Sequence, residues 1–213
     1  MFSVVFIRER LIVSLNAEAT ATNIRNSEFL WRIGIVCDLV MHLLDIPIML
    51  IIYTLLKPTN KNIALLALLF NLIQTAVLVA NKLNLLMPLF LLGNDDYLKA
   101  FDVQQLNSLL YVSLKAHDYG FGLGLIFFGF VCITNGYLII KSGYFPKIIG
   151  VLLQVAGLCY LVNNFTLILN PLLANKIFPF MMIPVFIAET TFALRLAIKG
   201  VNLDKWKLKQ ELL

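Results

Sequence analysis

The chain has 213 residues, of which 60% are hydrophobic and 14% are charged, whereas a soluble domain averages about 45–50% and about 25%. This composition excludes an ordinary water-soluble globule and indicates a multi-pass protein embedded in a lipid bilayer. The formal charge of +5 does not indicate a nucleic-acid partner, because the basic residues lie in short loops and in a tail between apolar runs. Cys37, Cys132 and Cys159 each lie inside an apolar run, so we expect neither a disulfide framework nor a cysteine metal site.

The segment before the first apolar run predicts a surface helix. Residues 16–32 have an amphipathic pattern, and Phe29 and Trp31 are placed to anchor this helix at the membrane interface. We therefore expect the segment to position the chain where it enters the bilayer.

Five apolar runs follow that are long enough to cross the roughly 30 Å hydrocarbon core of a bilayer, which takes about 20 helical residues. The first stops at Lys57-Pro58, because a proline disfavours helix in the residue before it. The third belongs to a helix that Asp102 can cap, with Gln105 at the capping-box position. We predict an all-α fold, a polytopic transmembrane helix bundle with five full spans plus the N-terminal amphipathic helix. It forms a single integral membrane domain over residues 1–213, with spans at about 33–56, 63–92, 108–140, 148–169 and 177–198.

The topology follows from where lysine and arginine collect. Residues 57–61, residues 141–147 and the tail from Arg195 are rich in basic residues, so we expect these segments and the C-terminus to be cytoplasmic. An odd number of spans then places the N-terminus outside, where the arginines before the first span would have to be translocated. Since residues 1–7 are too short to form a span, we expect a preceding helix to be missing. The arginines concerned are Arg8, Arg10, Arg25 and Arg32.

Glycines recur every seven residues in two neighbouring spans. Small residues on one helix face let backbones approach closely in lipid, so we expect spans three and four to pack tightly. We favour packing within one chain over an oligomer interface, and the oligomeric state stays open. The glycines are Gly122, Gly129 and Gly136 in the third span and Gly150 and Gly157 in the fourth.

Several segments resemble a known family. The stretch K-A-H-D-Y-G-F-G-L-G-L-I-F-F-G begins at Lys115, and further matching segments begin at Ser27, Leu55, Gly136 and Gly157. Together they resemble a bacterial family of multi-pass integral membrane proteins known only as a domain of unknown function, over residues 8–199. The resemblance implies six helices, of which the first is largely missing here, and a location in the bacterial cytoplasmic (inner) membrane. It implies no established activity and no catalytic residues.

Charged and histidine side chains within the spans are the best functional clues, because a charge near the bilayer centre costs about 2.5–3.5 kcal/mol on insertion scales. Asp38, His42 and Asp45 are spaced to lie on one face of the first span. By depth, Asp45 and Glu189 form a deeper acidic pair, and the other candidates form an outer layer. The candidates for a ligand-binding site are Asp38, His42, Asp45, Lys82, His117, Asp118 and Glu189.

Three interpretations of these residues stay open. In the first, Lys82 and Lys115 pair with Asp38 or Asp118, and the network only holds helices together. In the second, the outer layer lines an outward-facing pocket for a small polar or amphipathic ligand, on a transport or sensing path. Proline discontinuities near Glu189 would suit such a pocket.

The third interpretation is a membrane-embedded, metal-dependent hydrolase. His42 and His117 would hold Zn²⁺ together with Asp38 or Asp118, and a remaining carboxylate would act as general base. No soluble catalytic motif is present, since the chain has no G-x-S-x-G elbow, no P-loop and no H-E-x-x-H sequence. The sequence therefore leaves open whether the protein is an enzyme.

Overall fold

The structure is a computed structural model, which describes residues 7–211. Residues 1–6, which make up most of the apolar opening stretch, lie outside the described part. Within residues 7–211 the chain forms helices, turns and connecting segments and no strand, which confirms the all-α prediction. The helices are α1 (Glu9–Leu11), α2 (Ala17–Asn26), α3 (Glu28–Leu56), α4 (Lys61–Ala80), α5 (Leu83–Leu91), α6 (Val103–Ser142), α7 (Lys147–Leu169), α8 (Pro171–Leu194) and α9 (Leu203–Glu211).

Five helical segments in this part of the chain are long and apolar enough to cross a membrane. The second contains both α4 and α5, and the fifth joins α8 to a π-helical turn over Arg195–Lys199. They agree with the five predicted spans, although the first, third and fifth begin five or six residues earlier than predicted. The segments are Glu28–Leu56, Lys61–Leu91, Val103–Ser142, Lys147–Leu169 and Pro171–Lys199.

Side-chain caps explain several helix ends. The predicted capping box of α6 is present, because the Gln105 N–H donates to Asp102 Oδ1 at 2.8 Å and the Asp102 N–H donates to Gln105 Oε1 at 3.0 Å. Asn170 caps α8 by accepting the Leu173 N–H at 3.1 Å, and Pro171 occupies the first helical position. This cap is the reason why α8 begins earlier than its apolar run.

The sequence predicted one continuous span for the second apolar run, but the structure divides this run into α4 and α5. It breaks at Asn81 and Lys82, where the Lys82 N–H donates to Val79 O at 3.0 Å and the Leu85 N–H donates to Lys82 O at 2.9 Å. These three-residue steps replace the four-residue steps of an α-helix. Asn81 and Lys82 are only 6% and 3% exposed, so the turn lies inside the protein.

The chain divides into two compact units, and three helices each contribute to both. The described parts of the first unit are residues 7–44 and 77–121, and those of the second are residues 45–76 and 122–211. Ile24, Trp31, Leu85 and Leu110 belong to the buried core of the first unit.

In the second unit, α6 and α7 approach each other through glycines. A Cβ atom built on Gly150 would lie 2.5 Å from Gly136 O, and one built on Gly157 would lie 2.6 Å from Gly129 O. Both separations are shorter than real Cβ contacts, so a side chain larger than glycine would force the helices apart. The predicted tight packing of the third and fourth spans is confirmed.

The C-terminal helix α9 packs against the end of α3, also within the second unit. Trp206 Nε1 donates to Leu55 O at 3.1 Å, and the Tyr144 hydroxyl donates to the same oxygen at 2.6 Å. Leu55 lies in the last turn of α3, where carbonyl groups lack intrahelical partners. The tail therefore supplies a hydrogen-bond donor to a carbonyl group at the end of α3, for which the sequence alone predicted no partner.

We expect Gly150→Ala to destabilise the protein by about 1–3 kcal/mol, because the added methyl group overpacks the contact with Gly136. Thermal unfolding of detergent-purified protein measures this change. Gly34→Ala in α3 is the matched control, since the three nearest neighbours of its new Cβ would all be side-chain atoms of Ile7, the closest at 3.3 Å. Equal stability of Gly150→Ala and the parent protein would contradict the close packing.

Candidate functional site

One buried carboxylate in the first unit is held by two cations. Arg8 Nη2 donates to Asp38 Oδ2, and Lys82 Nζ donates to the same oxygen at 2.9 Å. The side chains of Arg8, Asp38 and Lys82 are 13%, 5% and 4% exposed. We call these three residues the charge cluster. It joins the N-terminal segment, α3 and the turn between α4 and α5.

Each member is positioned by the local structure of its segment. On α3, Asp38 continues a buried stripe that also contains Trp31, Ile35 and His42, at intervals of three or four residues. Lys82 is buried because the turn between α4 and α5 keeps it inside the protein. The charge cluster therefore depends on one regular helix face and one irregular turn.

Arg8 also lies next to His117 of α6. Its Nη1 atom is 3.5 Å from His117 Nε2, at the long limit of a hydrogen bond. Because a guanidinium can only donate, Nε2 faces it as an acceptor, which assigns the proton of a neutral ring to Nδ1. Burial is the largest influence on Arg8 and lowers its pKa, whereas the charges of Asp38 and then Asp118 raise it. The guanidinium stays charged throughout the physiological range.

Asp118 lies at the rim of this arrangement. Its side chain is 65% exposed, and its Oδ1 atom is 3.9 Å from His117 Nδ1. The predicted partner Lys115 is 57% exposed, with Nζ 4.0 Å from Asp118 Oδ2. Exposed pairs of this kind contribute little to stability. Consecutive residues on a helix point about 100° apart, so the burial of His117 leaves Asp118 facing outward.

Trp31 and Leu85 pack beside Arg8. Trp31 is 2% exposed, and its Nε1 atom donates to Leu85 O at 2.9 Å. The prediction that Trp31 anchors the chain at the membrane interface is therefore wrong, because its indole lies in the core and its N–H is bonded there. The space that Ile7, Arg8, Trp31, Gly34, Ile35 and Leu85 line is too tight to admit a water molecule.

The two deeper candidates belong to the second unit. Glu189 of α8 accepts a hydrogen bond from the Tyr160 hydroxyl at 2.6 Å. Asp45 is partly buried in the same unit. The Asp38–Lys82 pair that the sequence suggested is thus present in the first unit, and His42 is buried one turn beyond Asp38.

The described residues do not fit the zinc site considered from the sequence. Within residues 7–211, no three His, Cys, Asp or Glu side chains lie close enough together to hold a metal ion. Asp38 directs an oxygen at Arg8 and Lys82, and these positive charges repel a metal ion from the same position. The proposed ligands His42, His117, Asp38 and Asp118 therefore do not form a metal centre in this arrangement.

Sequence reasoning missed Arg8 and Asn81. Because Arg8 lies outside the apolar runs, it was counted only among the arginines before the first span and not as a partner for a buried acid. Asn81 Nδ2 donates to the main-chain oxygen of His117 at 2.9 Å, and Asn81 Oδ1 accepts from Asn84 Nδ2 at 2.9 Å. The one available signal was the pair of polar residues Asn81-Lys82 in the middle of an apolar run.

Comparison with known proteins supports the resemblance seen in the sequence. The profile of DUF4386, described as a domain of unknown function, matches residues 1–200. An uncharacterized protein of Archaeoglobus fulgidus is 29% identical over 164 residues, which cover 76% of this chain and 81% of that protein. No solved structure matches the chain.

We expect Asp38→Ala to destabilise the protein by about 3–5 kcal/mol, because it leaves two buried cations facing each other. Lys82→Met should lower the free energy of unfolding by less than half as much, because Arg8 still faces the carboxylate. Unfolding of detergent-purified variants measures both changes, and Lys115→Met is the control for loss of an exposed lysine. Equal costs for Asp38→Ala and Lys82→Met would contradict the shared arrangement.

Proposed function

We propose that this chain, which belongs to the DUF4386 family, is a multi-pass membrane protein whose charge cluster binds the acidic group of a small polar or amphipathic ligand. The observation that carries the proposal is the convergence of Arg8 and Lys82 on one carboxylate oxygen of Asp38. A carboxylate or phosphate group of a ligand offers the same kind of acceptor as Asp38. His42, His117 and the rim residue Asp118 are further candidates for contact with the ligand.

The donor chemistry supports an oxyanion ligand. A guanidinium carries five N–H donors in a planar fork and can hold two oxygens of a carboxylate or phosphate, and an ammonium adds three donors. In the described contacts, a single oxygen of Asp38 receives one bond from Arg8 and one from Lys82. A carboxylate or phosphate group of a ligand carries oxygens that both kinds of donor can bind.

The cost of burying charge also supports a role beyond packing. Replacement of a buried ion pair by apolar residues of similar volume is often neutral or stabilising in soluble proteins. Charged side chains at membrane depth are rare, and those that occur mark binding sites and ion pathways. Asp38 and Lys82 both lie in candidate spans and are almost fully buried.

Asp38 would act as an internal competitor for the ligand. The ligand's acidic group binds where the Asp38 oxygen now lies, and the carboxylate of Asp38 gives up one or both of its cations. Loss of the negative charge at position 38 should then strengthen ligand binding. This direction distinguishes a competitor from a residue that contacts the ligand directly.

The second candidate is a structural network. It is favoured by the closed contacts of the charge cluster and by the tight packing beside Arg8, Trp31 and Leu85. In this case the cluster only fixes the N-terminal segment to α3 and to the turn that carries Lys82. Such a network binds no ligand, and its removal changes stability alone.

The location is proposed on charge. Basic residues follow the ends of α3, α6 and α8, and the positive-inside rule assigns these ends to the cytoplasm. We place the protein in the bacterial cytoplasmic membrane with its C-terminus inside. The lipid bilayer is then its immediate partner, and nucleic acid is not one.

Trp31 is a natural reporter for ligand binding, because it packs beside Arg8 and bonds to α5. The chain has two tryptophans, so Trp206→Phe leaves Trp31 as the single emitter. In this background we expect octanoate and inorganic phosphate to change Trp31 emission. Asp38→Asn should lower the Kd for octanoate at least ~10-fold, a change of about 1.4 kcal/mol.

Matched controls separate binding from unspecific effects. Octanol tests whether the alkyl chain acts through the detergent, and sodium chloride tests ionic strength. Lys82→Met should lose the octanoate response, and Lys115→Met should keep it. If neither octanoate nor phosphate changes the emission of the Trp206→Phe protein or its Asp38→Asn variant, the binding proposal is wrong and the structural candidate stands.

A further inference from the structure

We infer that Asn81 is the positioning residue that holds Lys82 against Asp38, and that Gly120 provides the space Asn81 needs. This inference deepens the proposed function, since it concerns the same charge cluster. It rests on contacts within the first unit: two side-chain hydrogen bonds, one main-chain turn and one glycine. Asn81 touches neither cation nor carboxylate in the described contacts, so its role is indirect.

The turn that carries Lys82 has no local cause in its own sequence. Neither position 81 nor position 82 is a glycine or a proline. Pro88 lies further along α5, where it removes a donor that would bond to Asn84, one turn before it. An apolar helix would otherwise continue through this segment, so a tertiary contact must fix the turn where it occurs.

Asn81 makes that tertiary contact. Its Nδ2 atom donates to the main-chain oxygen of His117 at 2.9 Å, and Asn81 is 6% exposed. Its Oδ1 atom accepts from Asn84 Nδ2 at 2.9 Å, which ties the first turn of α5 to the same point. Lys82 follows Asn81 directly in the chain. The anchored main chain at Asn81 therefore sets the direction in which the Lys82 side chain points.

Gly120 makes room for this side chain on α6. A Cβ atom built on Gly120 would lie 2.2 Å from Asn81 Oδ1 and 2.6 Å from Asn81 Cγ. Both distances are well inside van der Waals contact, so any other residue at position 120 would displace Asn81. The glycine lies one helical turn after His117, on the face that meets Asn81. The Asn81 side chain thus packs directly against the main chain at Gly120.

The position of the Lys82 ammonium group therefore depends on Asn81. With Asn81 seated, Lys82 Nζ lies 2.9 Å from Asp38 Oδ2. With Asn81 displaced or removed, the turn loses its attachment to α6 and Lys82 is free to leave the carboxylate. The same step would remove one of the two cations that we propose to hold the acidic group of a ligand.

Chemical labelling of lysine tests the positioning directly. The probe is N-hydroxysuccinimidyl acetate, with the acetylation of each lysine measured by mass spectrometry below the unfolding midpoint of each variant. Lys82 is 3% exposed and should be strongly protected in the parent protein. We expect Asn81→Ala and Gly120→Ala each to raise its acetylation rate at least ~10-fold. Lys115, which is 57% exposed, should react equally in all proteins.

A double variant shows whether the two residues act through each other. In Asn81→Ala/Gly120→Ala the clash is absent, so we expect the rate of Asn81→Ala with no further increase from Gly120→Ala. Gly34→Ala is the control for a glycine-to-alanine change in another helix of the same unit, and it should leave Lys82 protected. Continued protection of Lys82 in both single variants, or effects that multiply in the double variant, would overturn the inference.

The octanoate titration separates this inference from the proposed function. If Asn81 positions Lys82 and the ligand proposal holds, Asn81→Ala weakens octanoate binding at least ~10-fold in the Trp206→Phe background. If labelling shows the expected pattern but the Trp206→Phe parent never responds to octanoate, Asn81 still positions Lys82 and only the ligand proposal fails. If octanoate binds but Lys82 stays protected in both variants, the positioning role fails alone.

Discussion

A single oxygen of Asp38 constrains the geometry of the first unit. Arg8 and Lys82 both reach it, although they come from the N-terminal segment and from a turn inside an apolar run. A buried carboxylate needs cationic partners, and two buried cations need a common anion between them. The burial of Arg8 and that of Lys82 both depend on this requirement, because neither cation would be favourable inside the protein without the carboxylate.

The fold was predictable where local physics decides it. Long apolar runs, the Asp102–Gln105 capping box and the repeated glycines of α6 and α7 are local signals, and the structure agrees with each of them. The break between α4 and α5 was not predictable, since no glycine or proline marks it. It depends on a contact between Asn81 and the main chain of α6, which only the folded protein brings together.

The candidate site was predictable in part. The positions of Asp38 and Lys82 along their predicted spans placed both residues at the same membrane depth, and in the structure they form an ion pair. Depth does not specify direction around a helix, which is why His117 is buried while its neighbour Asp118 is exposed. Arg8 was missed because it lies outside the apolar runs, 30 residues before Asp38 in the chain. A buried acid within reach of a preceding segment is the pattern that would have pointed to it.

If Asp38 and Lys82 form a buried ion pair, the two residues are energetically coupled inside the protein. A double-mutant cycle with Asp38→Asn and Lys82→Met, measured by unfolding in lipid bicelles, measures this coupling. We predict a coupling energy of about 1–3 kcal/mol, as found for residues within one ion-pair network. The exposed pair Lys115 and Asp118 is the internal comparison and should couple by less than about 1 kcal/mol. If the Asp38 and Lys82 substitutions are additive to within about 0.5 kcal/mol, the two residues do not form a buried ion pair in the folded protein.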